Sequence, residues 1–233
     1  VTGNSISQED QAYVVANRSY DDSAYYASVV QITERTYSDF FKIYRGRIAS
    51  IDENSDFTVE SFSELNGLKW NYYNTPKTFK LTYDTRILDD EGVVGQRDFT
   101  DYGDKSYKGR TVYIVSNGSD AVLINTAPYG NINVKGEIYE IVVEDTSDTA
   151  QQNSEGLGNE RILTVKLLEA KEYDSSANMW VNRKETELGI LGNSIVIKGN
   201  SIIRPADLKK GDRIRAIKND SNEAGDAYII FVE

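Results

Sequence analysis

One pattern of strands and turns occurs twice in this sequence, and that duplication limits what the chain can fold into more than any other feature. Gly46-Arg47-Ile48-Ala49-Ser50-Ile51 returns as Gly136-Glu137-Ile138-Tyr139-Glu140-Ile141. Phe57-Thr58-Val59-Glu60, leading to Trp70, is answered by Leu163-Thr164-Val165-Lys166, leading to Trp180. Gln96-Arg97-Asp98-Phe99 is answered by Pro205-Ala206-Asp207-Leu208, and Gly109-Arg110-Thr111-Val112-Tyr113-Ile114 by Gly211-Asp212-Arg213-Ile214-Arg215-Ala216. The offset is 90 at the opening glycines (136 minus 46), 110 at the tryptophans (180 minus 70) and 102 at the closing glycines (211 minus 109). The copies therefore differ by insertions in their loops while keeping one order of landmarks, which predicts two copies of one strand-built module.

The chain has 233 residues, enough for two modules of roughly 100 residues and an arm. It contains no cysteine and no histidine. Disulfides and thiolate metal sites are thereby removed, as are the commonest general base and the usual serine or cysteine triads. The net charge of −11 argues against nucleic acid and against an anionic membrane surface as partners. No apolar run approaches the roughly 20 residues that a spanning helix needs. A start at Val1-Thr2-Gly3 fits a mature chain after removal of a secretory signal, or a piece of a longer polypeptide.

Along the chain, residues 1–40 read as an N-terminal arm, 41–127 as the first β-module and 128–233 as the second, with the join near Pro128. In the arm, Ser7-Gln8-Glu9-Asp10 has the form of a capping box that predicts a short helix over residues 11–16, although Tyr13, Val14 and Val15 suit a strand as well. Residues 25–33, Tyr-Tyr-Ala-Ser-Val-Val-Gln-Ile-Thr, predict a strand with no counterpart before the second module. Strands are expected near 41–51, 56–63, 68–73, 78–83, 111–116 and 120–125, and again near 134–143, 161–170, 179–188, 194–198, 213–218 and 227–232. Asp52-Glu53-Asn54-Ser55, Asn66-Gly67, Asp89-Asp90-Glu91-Gly92 and Asn117-Gly118-Ser119 mark turns. The polar connection 145–160 is expected to be mobile, and Pro205 to Leu208 to form a helical turn plugging a barrel end. The fold class is accordingly all-β: two tandem small antiparallel β-barrel or sandwich modules with an N-terminal arm. Each tryptophan is expected to fill a core or cover a barrel end.

The segment Asp207-Leu208-Lys209-Lys210-Gly211-Asp212-Arg213-Ile214-Arg215-Ala216-Ile217-Lys218, with Gly225-Asp226-Ala227-Tyr228-Ile229-Ile230-Phe231-Val232-Glu233, resembles a β-repeat of surface proteins from clostridia-like bacteria, which commonly carry S-layer-homology domains elsewhere. The first module resembles the same repeat at Gly46 to Asp52, at Leu65-Asn66-Gly67-Leu68-Lys69-Trp70 and at Tyr83-Asp84-Thr85-Arg86-Ile87. The resemblance implies a secreted, non-enzymatic building block of the cell envelope. This sequence shows no S-layer-homology anchor motif, so the same resemblance implies attachment by self-association or within a longer protein.

Several residues invite a site reading. Asp52, Asn54 and Asp56 have the one-three-five spacing of an oxygen-ligand calcium loop, but Phe57 and Ser63 stand where an EF-hand needs glycine and glutamate. A second oxygen-rich turn holds Asp220, Asn222 and Asp226. Calcium is thus the one cofactor the sequence leaves open, against a reading of both segments as solvated turns. Tyr25, Tyr26, Tyr72, Tyr73, Tyr102, Tyr107 and Tyr129 are candidates for a sugar-stacking platform or for subunit contacts. No phosphate-binding glycine loop, nucleotide fingerprint or nucleophile elbow is present, and an enzyme is the least favoured class.

The arm gives the sharpest expectation. Tyr25, Tyr26, Ala27, Val29, Val30 and Ile32 are expected either to donate a strand to the barrel edge of a neighbouring molecule or to complete the chain's own first module. Head-to-tail donation does not close on itself and builds filaments or layers. The expected function is therefore a structural subunit of a bacterial cell-surface assembly that associates with copies of itself. Tandem carbohydrate-binding modules that contact cell-wall glycan are the alternative.

Overall fold

The computed structural model describes residues 11–18, 25–34, 40–52, 56–100, 106–143, 158–183, 186–219 and 224–233. The expected capping box, residues 53–55, Tyr102 and most of the 145–160 connection lie outside them. The arm contributes β1 (Gln11–Arg18) and β2 (Tyr25–Glu34). The first module holds β3 (Lys42–Ile51), β4 (Asp56–Asn66), β5 (Lys69–Tyr73), β6 (Lys77–Leu88), β7 (Val93–Val94), α1 (Gln96–Thr100), β8 (Thr111–Asn117) and β9 (Asp120–Asn125). The second holds β10 (Ile132–Val143), β11 (Arg161–Asp174), β12 (Met179–Asn182), β13 (Thr186–Lys198), β14 (Ser201–Ile203), a 3-10 turn (Pro205–Asp207), β15 (Arg213–Lys218) and β16 (Ala224–Val232).

The short helix expected over 11–16 is a strand instead. Gln11–Arg18 pairs antiparallel with Tyr25–Glu34, and this non-local pairing of β-branched and aromatic residues overrides the local capping signal. The single strand expected over 179–188 is likewise two. β12 ends at Asn182, and β13 begins at Thr186 and runs unbroken through Gly189 and Gly192 to Lys198.

Both modules have one sheet order, β5-β4-β3-β8-β9-β6-β7 and β12-β11-β10-β15-β16-β13-β14, and the additional pairings β4–β6 and β11–β13 close each into a five-stranded barrel. Numbering the barrel strands within a module, the order is 1-2-3-5-4 with 4 returning to 1, the connectivity of an OB-type Greek-key barrel. Closure requires one parallel contact per barrel, β6–β9 and β13–β16, in an otherwise antiparallel sheet.

The repeat landmarks perform equivalent structural work. A Cβ at Gly46 would lie 2.7 Å from Ser61 O and 2.9 Å from Val59 Cβ; one at Gly136 would lie 2.9 Å from Leu168 O and 3.0 Å from Leu167 Cβ. The first barrel strand thus crosses the second at a point where only hydrogen fits, beside a bulge in each copy. Gly109 and Gly211 take φ of 86° and 90°, and their N–H groups donate to Ile48 O (2.8 Å) and Ile138 O (2.7 Å). Phe99 of α1 and Leu208 after the 3-10 turn are buried in the two barrel cores, as the expected plug requires. The first core is aromatic, with Phe57 stacked on Phe79 at 5.5 Å and edge-on to Phe99 at 5.6 Å. The second is aliphatic, built on Val165, Leu188, Ile190, Val196, Ile214 and Ile230.

A third core lies between the barrels. β13 is buried along nearly its whole length because one face fills its own barrel while Ile195 and Ile197 face the other way. With Ile217, Ile229 and Phe231 they pack against Ile43, Tyr113, Val115 and Leu123 of the first module. Both modules present the same strand faces here, since Val115 and Ile217 differ by the offset of the closing glycines (217 minus 115 is 102).

Candidate functional site

Three places concentrate side chains that could act on something outside the chain: the arm, the outer edges of the barrels and an acidic cleft on the first barrel. The arm forms a two-stranded sheet of its own and pairs with no barrel strand among the described residues. Successive strand residues project to opposite faces, and Val14 and Val15 of β1 are both exposed, as are Tyr25, Tyr26, Ala27 and Val29 of β2. Val30 is half-buried; Ile32 pairs with Ala12 in the ladder, and its side chain lies outside the described residues. Completion of the first module by residues 25–33 is therefore not what the described residues display. The partner of β2 is β1.

Each barrel carries a short strand that pairs on one side only. β5 hangs from the far end of β4 in register Phe62↔Tyr73 to Asn66↔Lys69, and β12 from β11 in register Lys171↔Asn182 to Asp174↔Met179. Tyr72 and Tyr73 are exposed on the first, Met179 and Val181 on the second. The tryptophans at these matched places are half-buried on strands outside the closed barrels, and the expected packing on a core holds for the first and not for the second. Trp70 packs on the third core and donates from Nε1 to Gly130 O at 3.1 Å, whereas Trp180 stands edge-on to Tyr173 at 5.4 Å with Lys135 Nζ 4.7 Å above its ring.

Sequence reasoning missed what Trp70 belongs to. The joining segment 126–131 is clamped by Tyr113, whose hydroxyl donates to Pro128 O at 3.0 Å and accepts from Gly130 N at 2.9 Å. Arg45 lies over the rings of Tyr113 (5.4 Å) and Tyr129 (5.0 Å). Burial pushes the Tyr113 phenol up to about 12, with the Gly130 N–H and the Arg45 charge pulling the other way. At the opposite end of the third core, buried Asn193 donates from Nδ2 to Asp89 O (3.0 Å) and Asn159 Oδ1 (2.7 Å), and Asn125 Nδ2 donates to Asn193 O. Nothing in an isolated sequence separates these asparagines from those in turns.

The cleft, about 540 Å3, is lined by Asp89, Asp90, Glu91, Asp98, Tyr107 and Arg110. Its deepest carboxylate is already satisfied. Asp89 Oδ1 accepts from Glu91 N (2.9 Å) and Gly92 N (3.1 Å), and Oδ2 accepts from the Tyr107 hydroxyl (2.5 Å). Burial, and then Asp89 itself, hold the Tyr107 phenol far above its ordinary range. Such a carboxylate organises a turn.

The expected calcium ligands divide. Asp52 and Asp56 flank the β3–β4 turn, with Asp52 N donating to Asp56 O at 2.8 Å, while Asn54, Asp220 and Asn222 lie outside the described residues. Asp226 is drawn to Arg161, whose Nη2 and Nε reach its Oδ1 at 2.6 and 3.0 Å. Among the described residues no three acidic side chains gather in a metal-binding group. Among the described residues the candidate tyrosines are dispersed: Tyr107 is buried, Tyr129 belongs to the joining segment, and Tyr25 and Tyr26 stand on a separate sheet from Tyr72 and Tyr73. Comparison of the chain with protein-family models, with curated proteins and with solved structures finds no match.

Proposed function

We propose that this chain is a non-enzymatic structural subunit of a bacterial cell-surface assembly, an S-layer-like lattice or an extracellular filament, and that it joins copies of itself through the N-terminal hairpin. The observation that carries the reading is the hairpin β1–β2, separate from both barrel sheets and exposing Val14, Val15, Tyr26 and Val29. A two-stranded hairpin wet on both faces is marginal alone and gains stability from a third strand or a packed face. The same chain also offers open strand edges at β5 and β12 with exposed Tyr72, Tyr73, Met179 and Val181. A second copy therefore supplies the complementary half of each contact, by main-chain hydrogen bonds and apolar burial. Asp89, tied into its turn on both oxygens, supports a scaffold role for the acidic cleft.

The test is removal of residues 1–40, read by electron microscopy and sedimentation with and without a chelator. The expected outcome is a folded protein that stays monomeric where the full chain forms ordered polymers. A full chain that remains monomeric at high concentration while binding glycans would refute the assembly reading and favour tandem carbohydrate-binding modules.

A further inference from the structure

Beyond assembly, the turn at Asn117 has the features of a covalent modification site. The chain contains three Asn-X-Ser triplets without proline at X: Asn17-Arg18-Ser19, Asn117-Gly118-Ser119 and Asn219-Asp220-Ser221. This triplet is the acceptor pattern for N-linked glycans on exported proteins. All three asparagines are exposed, and each stands within one residue of the end of a strand. Asn117 closes β8 and Asn219 follows β15, and the two differ by 102 (219 minus 117), the offset of the closing glycines. The triplet is thus repeated at equivalent hairpins of the two barrels.

Burial separates these asparagines from those that hold the fold. Asn125, Asn133 and Asn193 are buried, and each commits its amide to a contact between modules, on Asn193 O, Leu68 O and Asp89 O respectively. Two residues after them stand Ala127, Lys135 and Ile195, so none is an acceptor. Asn117 is the opposite case. Its side-chain amide makes no hydrogen bond among the described residues, and it sits across from Asp120 in a two-residue hairpin. Gly118 has φ of 62°, and a Cβ added there would meet nothing within 4 Å. Ser119 is exposed, with its hydroxyl turned only to the neighbouring Asp120 at 3.4 Å. A transferase therefore reaches both the amide and the hydroxyl of this triplet without opening the barrel.

We infer that Asn117 is an N-glycosylation site, an inference that rests on the cell-surface reading because the donor is presented outside the cytoplasm. Its donor is a glycan carried on a polyprenyl diphosphate. In the transfer, Asn117 Nδ2 forms a bond to the anomeric carbon, the bond from that carbon to the diphosphate oxygen breaks, the polyprenyl diphosphate leaves with the electron pair, and the amide proton passes to a base of the transferase.

The experiment is mass spectrometry of the full chain, purified from the surface and cytoplasmic fractions of cells that make it, as wild type, Asn117→Gln, Ser119→Ala and Ser119→Thr. The expected result is a glycan mass on the Asn117 peptide of surface protein, abolished by N117Q and S119A and retained by S119T. Unmodified Asn117 in surface protein overturns the glycan and leaves the assembly reading standing. Protein confined to the cytoplasm overturns both.

Discussion

Replacing Tyr113 by phenylalanine removes one oxygen from the clamp on the joining segment, and the structure sets both the size of the effect and its pH dependence. In the wild type that oxygen accepts from Gly130 N and donates to Pro128 O. Tyr113→Phe leaves a buried N–H without its acceptor, so at neutral pH the variant is expected to be less stable by about 1–3 kcal/mol. The gap then narrows in alkali. The folded phenol is raised to about 12 from the ordinary tyrosine value of 10.0, which describes the unfolded chain. As pH rises past 10 the unfolded state releases its proton first, so the wild type loses stability while the phenylalanine variant has nothing to titrate at this position. Linkage gives a loss of about 1.4 kcal/mol by pH 11 and roughly 2.7 kcal/mol once the folded group has also titrated. Tyr44, Tyr107 and Tyr228 are raised as well, but both proteins carry them, so they cancel in the difference. The assay is urea unfolding followed by far-UV circular dichroism at pH 7.5, 10 and 11. A stability difference that stays constant across that range would refute the reasoning, because it would mean the phenol titrates alike in folded and unfolded chains.

The two crossing glycines should respond as a matched pair: Gly46→Ala and Gly136→Ala each force a Cβ to within 3 Å of a carbonyl oxygen, and each is expected to cost about 1–3 kcal/mol in chemical denaturation. A cost at one and none at the other would sever the structural equivalence of the repeats. Asn193→Ala, which strips the donor from Asp89 O and Asn159 Oδ1, is expected to cost about 1–3 kcal/mol and lower the melting temperature by several degrees, measured by calorimetry. An unchanged melting temperature would mean that this end of the third core contributes nothing.

The parts of the fold legible in the sequence are those governed by local chemistry. Gly46 and Gly136, and Gly109 and Gly211, stand where a side chain clashes or φ must be positive, so they mark the same places in both copies even where little else matches. Alternation within strands and the Asn-Gly turns place the strands of the first barrel, although β6 runs on to Leu88, past the end expected at residue 83. The features that escaped are all non-local. Thr85 Oγ1 accepts from Thr82 N at 2.8 Å and donates to Ala121 O at 2.6 Å, and Ser194 Oγ repeats this with Leu191 N at 2.9 Å and Ala227 O at 2.7 Å. These hydroxyls stitch the parallel contact at the bend of the third barrel strand, yet nothing next to them in sequence marks them. β13 departs from the expected strand bounds because a strand buried on both faces loses its alternation. At one position the copies hold Tyr113 and Arg215, the first clamping the joining segment and the second bonding Asn133 Oδ1 at 2.9 Å over the ring of Phe231. Their shared place in the repeat conceals different tasks. As for the candidate site, β2 is the strand that its aromatic and β-branched residues predict, while β1, whose residues suit a helix or a strand, is decided by its pairing with β2.

The third core also bears on how the chain transmits force. Two repeats on a string would extend under load one after the other, with slack between them. Here Ile195, Ile197, Ile217, Ile229 and Phe231 bind the second barrel to the first over the faces of three strands, while Tyr113 and Asn193 fasten the ends of that contact. Tension that pulls the barrels apart must first shear this apolar seam, so the joining segment does not carry such a load alone.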